Sequence, residues 1–182
     1  GVSYMLENRE ITRRLFPEMI PREKVQPISD YPNLLYNKLK SLSNKKNPVV
    51  VMLTPGLYNS AYYEHTALAR LMGVELVEGS DLLVDNHYVF MKTAGGLKTV
   101  DIIYRRIDDD FLDPLNFKAD SVLGIAGIMD SYRQGNVILV NSPGAGIADD
   151  KAIYTYVPDM ISYYLNEKPI LEIILEQCIN SG

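Results

Sequence analysis

Nine residues, Pro48 to Gly56 (PVVVMLTPG), leave few folds open to this chain. The run is short, continuously apolar, β-branched at its start and closed by Pro55-Gly56, which is how a strand buried on both faces of a parallel sheet reads. Behind it, residues 60–72 (SAYYEHTALARLM) carry a helical pattern ended by Gly73, and residues 74–77 (VELV) return to an extended one. Strand, helix, strand is a βαβ unit, the crossover that parallel neighbours require. Two more strands of this kind are expected at 100–105 and 136–140. Turn signals at Asp85-Asn86 and Gly95-Gly96 predict one β-hairpin inserted between residues 81 and 99.

Helical spacing predicts four further helices: 4–16, stopped by Pro17; one capped by Ser29 or Asp30 and reaching Leu42; 124–133, stopped by Gly135; and a long one opened by Asp149 or Asp150 and interrupted near Pro158. The expected architecture is a three-layer α/β domain with a mostly parallel sheet and the inserted β-hairpin, Rossmann-like in its alternation. We expect one domain over 1–182: N-terminal helices to residue 47, an α/β core over 48–166 and a C-terminal helix over 167–182. The opening Gly1-Val2-Ser3-Tyr4, without an initiator Met, fits a piece of a longer protein.

Composition narrows the partners. A net charge of −5 with no basic stripe argues against nucleic acid. The longest apolar stretches, such as VVVML at 49–53, fall far short of the roughly 20 residues of a membrane helix. A cytoplasmic protein is expected. Cys178 is the only cysteine, and with His65 and His87 as the only histidines neither a disulfide nor a Cys/His zinc site is expected.

In open parallel sheets, ligands bind beyond the carboxyl ends of the strands. Three polar loops meet that condition: TPGLYNSAYYEH after the first strand, RRIDDDFLDP after the third and NSPGAGIADDK after the fourth. Asp108, Asp109 and Asp110 do not make a calcium loop, because Asp113 and Ala119 stand where its Gly and Glu belong. They read either as a solvated run paired with Arg105 and Arg106 or as a DxD-type metal site of a nucleotide-sugar glycosyltransferase. The arginines read either as internal ion pairs or as bidentate hosts for a carboxylate or phosphate. Gly144-x-Gly146 is neither a P-loop nor a dinucleotide fingerprint. His65 has no recognisable Ser or Cys partner for nucleophilic catalysis.

Taken together, GVSYMLENR at 1–9, LTPGLYNSAYYEH at 53–65, VELVEGSDL at 74–82, IYRRIDDDFLDPL at 103–115 and the run from Tyr132 to Leu165 resemble the circularly permuted ATP-grasp proteins. These are bacterial relatives of the glutathione and glutathionylspermidine synthetases, which join a carboxylate to an amine through an acyl-phosphate made from ATP, with Mg²⁺ on the phosphates. The resemblance implies a fold of pre-ATP-grasp type. It also implies that this chain is the central substrate-binding domain, inactive alone and without its own cofactor, with the ATP-clamping lobes and the metal carboxylates elsewhere in the same polypeptide. It implies substrate-binding roles for Asn59, Glu64, Arg105, Arg106, Asp108, Asp109, Asp110 and Asn141, and nucleotide-binding roles for Gly144, Gly146 and Lys151. No catalytic or metal-binding residue is assigned to this stretch. The synthetases lack the triple-aspartate run, which points away from glutathione and toward an amine co-substrate beside Asp108–Asp110. The partner is then a small carboxylate or amine, or a short peptide. The alternatives are a non-catalytic peptide or amino-acid binding module and the DxD glycosyltransferase.

Overall fold

The computed structural model describes residues 1–18, 26–150 and 152–170. Two compact units are distinct, residues 1–141 and residues 142–182.

The first unit is built on a four-stranded parallel sheet in the order β2-β1-β6-β7, with β1 at Val50–Leu53, β2 at Glu75–Val77, β6 at Ile102–Arg105 and β7 at Ile138–Val140. Register pairs Val51 with Glu75 and Ile103, and Ile103 with Leu139. All four residues of β1 are buried, so the apolar run at 49–53 is the centre of the sheet. Because side chains alternate across a strand, its two faces enter two different cores. Val50, Met52 and Ile102 pack on helices α2 (Tyr31–Lys40) and α3 (Tyr62–Met72), through Leu39, Leu68, Ala69 and Met72. Val51, Leu53 and Ile103 pack on the other side, against Leu82, Val89, Met91, Ile128 and Met129. Each such side chain contributes about 1.5–3 kcal/mol by leaving water.

The expected α/β architecture is present, and four local expectations need correction. Between residues 81 and 99 the chain forms three antiparallel strands, β3 (Leu82–Asp85), β4 (Tyr88–Thr93) and β5 (Gly96–Thr99), rather than one hairpin. Both turn signals are used: Asn86 and His87 adopt positive φ between β3 and β4, and Ala94-Gly95 separates β4 from β5. Second, the helix expected at 124–133 begins only at Ile128 (α5, Ile128–Arg133), because Gly127 takes a left-handed φ of 84°. Gly124 ahead of it is wedged against the carbonyl oxygens of Phe111 and Leu112, leaving no room for a Cβ. Third, Asp30 is the N-cap of α2 as expected, yet its Oδ1 accepts from the Asn33 side chain at 2.9 Å and caps no backbone amide.

The fourth correction concerns the second unit. In place of a long helix from Asp149 or Asp150, 3-10 turns at Ala145–Asp149 and Ile153–Tyr156 lead into the short helix α6 (Val157–Met160) and a wider turn at Ile161–Leu165. Pro158 lies in the first turn of α6, where a missing N–H costs nothing, so the helix restarts there. Helix α1 spans Val2–Leu15 close to its expected bounds, and the short α4 spans Asp109–Leu112. The C-terminal helix expected over 167–182 falls mostly outside the described residues, as does the Pro21 stretch of the connector. Among the described residues no helix is long and apolar enough to cross a membrane.

Candidate functional site

The chain leaves β1 toward β2 on one side and later returns to β6 on the other, so strand order reverses between β1 and β6. In an open α/β sheet the crevice beyond the carboxyl ends of two such strands is where ligands bind. Two backbone hydrogen bonds carry the strands into it: Thr54 N–H donates to Val77 O at 2.9 Å and Arg106 N–H to Leu53 O at 2.8 Å.

The two arginines divide there. Arg105 is turned inward, its side chain only 9% exposed. Its Nε donates to Asn141 O at 2.6 Å and its Nη1 to Ile107 O at 2.7 Å, while Nη2 meets Asp109 Oδ1 at 2.5 Å. These contacts brace the ends of β6 and β7 against the start of α4. Arg106 faces α3, with its Nη2 3.1 Å from Glu64 Oε1 and its side chain 30% exposed. Glu64 is buried, and its other oxygen lies 3.0 Å from the nitrogen of Gly1 at the start of α1, where the helix dipole also favours a carboxylate. Ser3 Oγ–H donates to Glu64 O at 3.1 Å, fixing α1 to α3.

Behind Glu64, the buried His65 places Nδ1 2.8 Å from Thr54 Oγ1, and Gly56 N–H donates to the same oxygen at 3.2 Å. Burial, with the Arg106 charge second, holds the His65 pKa below its ordinary value. The neutral ring can accept the Thr54 hydroxyl proton, which pins the Pro55-Gly56 turn. Burial, with Tyr104 second, raises the pKa of Tyr31, whose hydroxyl also feels Arg106 and Glu64. Tyr31 and Tyr104 were legible only as helix and strand positions.

The other predicted residues are placed as follows. Asn59 is half-buried, and its Oδ1 accepts from Ala61 N–H at 2.8 Å within its own turn, beside the exposed Leu57 and Tyr58. Asp108 and Asp110 are exposed, whereas Asp109 joins Arg105. Asn141 is exposed and meets Arg105 through its carbonyl. Gly144 and Gly146 belong to the second unit; Gly144 has a φ of 85°, and a Cβ at Gly146 would meet open space. Lys151 lies outside the described residues. The structure thus brings together Glu64 with Arg106, and Arg105 with Asp109 and Asn141. A separate cavity of about 560 Å³, lined by Leu6, Arg9, Glu10, Arg13, Pro27 and Pro32 among others, lies beside α1 and the start of α2.

One residue outside the predicted site set organises the loop between α4 and α5. Asp113 is fully buried. Its Oδ1 accepts from Leu115 N–H at 2.9 Å and Gly127 N–H at 3.0 Å, and its Oδ2 from Asn116 Nδ2 at 2.9 Å and Met129 N–H at 3.0 Å. That carboxylate ties the loop after α4 to the first turn of α5.

Comparison with known proteins now decides the family. A family model described as "a circularly permuted ATPgrasp" matches residues 1–179. The chain belongs to the circularly permuted ATP-grasp family. It is 54% identical over 173 residues to an uncharacterized protein of Synechocystis sp., covering 94% of this chain and 36% of that protein. An uncharacterized protein of Mycobacterium tuberculosis is likewise 54% identical over 173 residues, with 94% of this chain and 31% of the relative covered. A Frankia alni protein carrying a glutamate–cysteine ligase name is 39% identical over 175 residues, with 94% and 20% covered. The chain therefore spans about a third or less of the length of these curated relatives.

Proposed function

We propose that this circularly permuted ATP-grasp chain is the substrate-binding part of an ATP-dependent carboxylate–amine ligase in which Arg106 holds the carboxylate to be activated. One observation carries the reading: at the switch point between β1 and β6, a guanidinium held along one edge by a buried carboxylate keeps part of its surface open to solvent. A planar guanidinium is suited to gripping a carboxylate through two parallel hydrogen bonds. Family membership and the ligase names of the Frankia relatives point the same way. Arg105 serves as the brace that positions the loop. The exposed Asp108 and Asp110, next along that loop, favour a cationic amine co-substrate.

ATP supplies the activating phosphoryl group in such ligases and Mg²⁺ neutralises its phosphates. Among the described residues no group of three or more His, Cys, Asp or Glu side chains could hold a metal ion. We place the nucleotide and metal chemistry in the remaining lobes of the complete polypeptide.

The test uses the complete polypeptide with ATP, a panel of L-amino acids and short peptides as carboxylates, and hydroxylamine as the trapping amine. Hydroxamate formation is expected from the parent. Arg106→Ala should raise the KM for the carboxylate about 10- to 100-fold, the loss of a charged hydrogen-bonding partner. The 182-residue chain alone should give none. An unchanged carboxylate KM in Arg106→Ala would overturn the proposal.

A further inference from the structure

Arg106 does not stand alone on its side of the sheet. Alternation along β6 puts Tyr104 and Arg106 on one face and Ile103 and Arg105 on the other. The partners agree: Tyr104 packs with the α2/α3 core and Arg106 meets Glu64 of α3, whereas Ile103 packs in the opposite core and Arg105 braces the loops. Tyr31, the first residue of α2, packs on the same core as Tyr104. Its hydroxyl lies within electrostatic reach of the Tyr104 hydroxyl, the Arg106 guanidinium and the Glu64 carboxylate. Both tyrosines are half-buried, and among the described residues neither hydroxyl makes a hydrogen bond.

Two half-buried phenols whose hydroxyls reach solvent beside a partly open guanidinium can donate to an acceptor that enters from solvent. We infer that Tyr31, Tyr104 and Arg106 form a three-donor cradle for a single oxyanion, the substrate carboxylate, with Glu64 as the positioning residue that fixes the guanidinium from behind. The inference rests on the function proposed above and adds α2 to the site. Glu64 balances the Arg106 charge, so the phenols supply donors without adding a second cation. A carboxylate satisfies the geometry with two oxygens. A phosphate offers the same oxyanion chemistry with more charge, in a region where Glu64, Asp108, Asp109 and Asp110 already outnumber the two arginines.

The experiment titrates the complete polypeptide calorimetrically with L-glutamate, N-acetylglycine and inorganic phosphate, in the parent and in the variants Tyr31→Phe, Tyr104→Phe and Arg106→Lys. Each Phe variant removes one oxygen and keeps the ring that packs on the core; a thermal melt within about 2 °C of the parent verifies the fold. The expected result is carboxylate binding weakened about 5- to 30-fold by either Phe substitution and more by Arg106→Lys, with phosphate binding weaker than both carboxylates. Unchanged carboxylate affinity in both Phe variants, with Arg106→Lys impaired, would overturn the cradle and leave the proposed function standing. Phosphate binding more tightly than either carboxylate, and losing affinity in the Phe variants, would overturn the carboxylate assignment. Carboxylate affinity unaltered by Arg106→Lys, or absent from the parent, would overturn the function on which the cradle rests.

Discussion

Replacing Asp113 by Asn changes one atom and should destabilise the fold far more than any substitution of the aspartates at 108–110. The native carboxylate is fully buried and accepts four N–H groups, two on each oxygen. An Asn side chain keeps one acceptor oxygen, so at most two of those bonds survive, and its NH2 is then aimed at the other two donors. With Oδ1 retained as the oxygen, the amide opposes the Asn116 side-chain amide and the backbone N–H of Met129 in the first turn of α5. Hydrogen bonds to a charged acceptor are worth roughly 1.5–3 kcal/mol each, so losing two costs about 3–6 kcal/mol, less whatever local shifts recover. Against a total stability of about 5–15 kcal/mol that is a large share, and at about 2–4 °C per kcal/mol it lowers Tm by about 6–24 °C. Urea unfolding of the chain, followed by far-ultraviolet circular dichroism, measures it. Asp108→Asn is the control: Asp108 is exposed and makes no side-chain cap bond, so its effect should stay within about 0.5 kcal/mol. An Asp113→Asn variant within 1 kcal/mol of the parent would refute the reasoning, because it would mean that the four donors find equivalent partners elsewhere.

Gly124→Ala should cost about 1–3 kcal/mol or more, since a Cβ there collides with the Phe111 and Leu112 carbonyls, while Gly146→Ala should be nearly neutral in the same melts. His65 is held neutral by burial, so its contribution to stability is complete above its ordinary value of 6.5 and is lost as pH falls through the depressed folded value; urea midpoints measured across that window should fall less steeply in His65→Gln. Arg106→Ala should cost about 1–3 kcal/mol by leaving the buried Glu64 carboxylate without its guanidinium, and the loss should shrink in Glu64→Gln/Arg106→Ala; additive effects in this double-mutant cycle would show that the two side chains are not coupled.

The parallel core was legible because burial on both faces writes a continuous apolar run, and Val50 to Leu53 has no other plausible use. Where burial is one-sided or absent the signal fades. Strand β5 exposes Gly96, Leu97 and Lys98, so it shows no alternation, and two tight turns in quick succession read as a single hairpin. The helix start at Ile128 was hidden for a different reason. It is fixed by a carboxylate fourteen residues upstream of Gly127, and no local pattern records that contact. The restart of the helix at Val157 follows from Pro158 in its first turn, a position that was seen without its consequence for the helix boundary.

For the site, the charges in RRIDDD were visible but their division of labour was not, because charge alone does not distinguish a brace from a ligand group. Strand geometry supplies the distinction. Consecutive residues of an extended chain face opposite sides, so Arg105 and Arg106 cannot both look into one crevice, and whichever shares a face with the helical layer is the one available there. The layer assignment needs the long-range pairing of β6 with β1, which fixes Tyr104 beside Met52 and Arg105 beside Leu53. Once that register is set, Tyr104 and Arg106 fall on the side of α2 and α3, and Arg105 falls on the side where Ile107, Asp109 and Asn141 take up its hydrogen-bonding capacity. The same alternation predicts that exchanging the two roles by substitution is impossible: Arg106→Ala cannot be rescued by Arg105, because reaching the crevice from position 105 would require β6 to slip by one residue and turn Ile102 and Ile103 out of their cores.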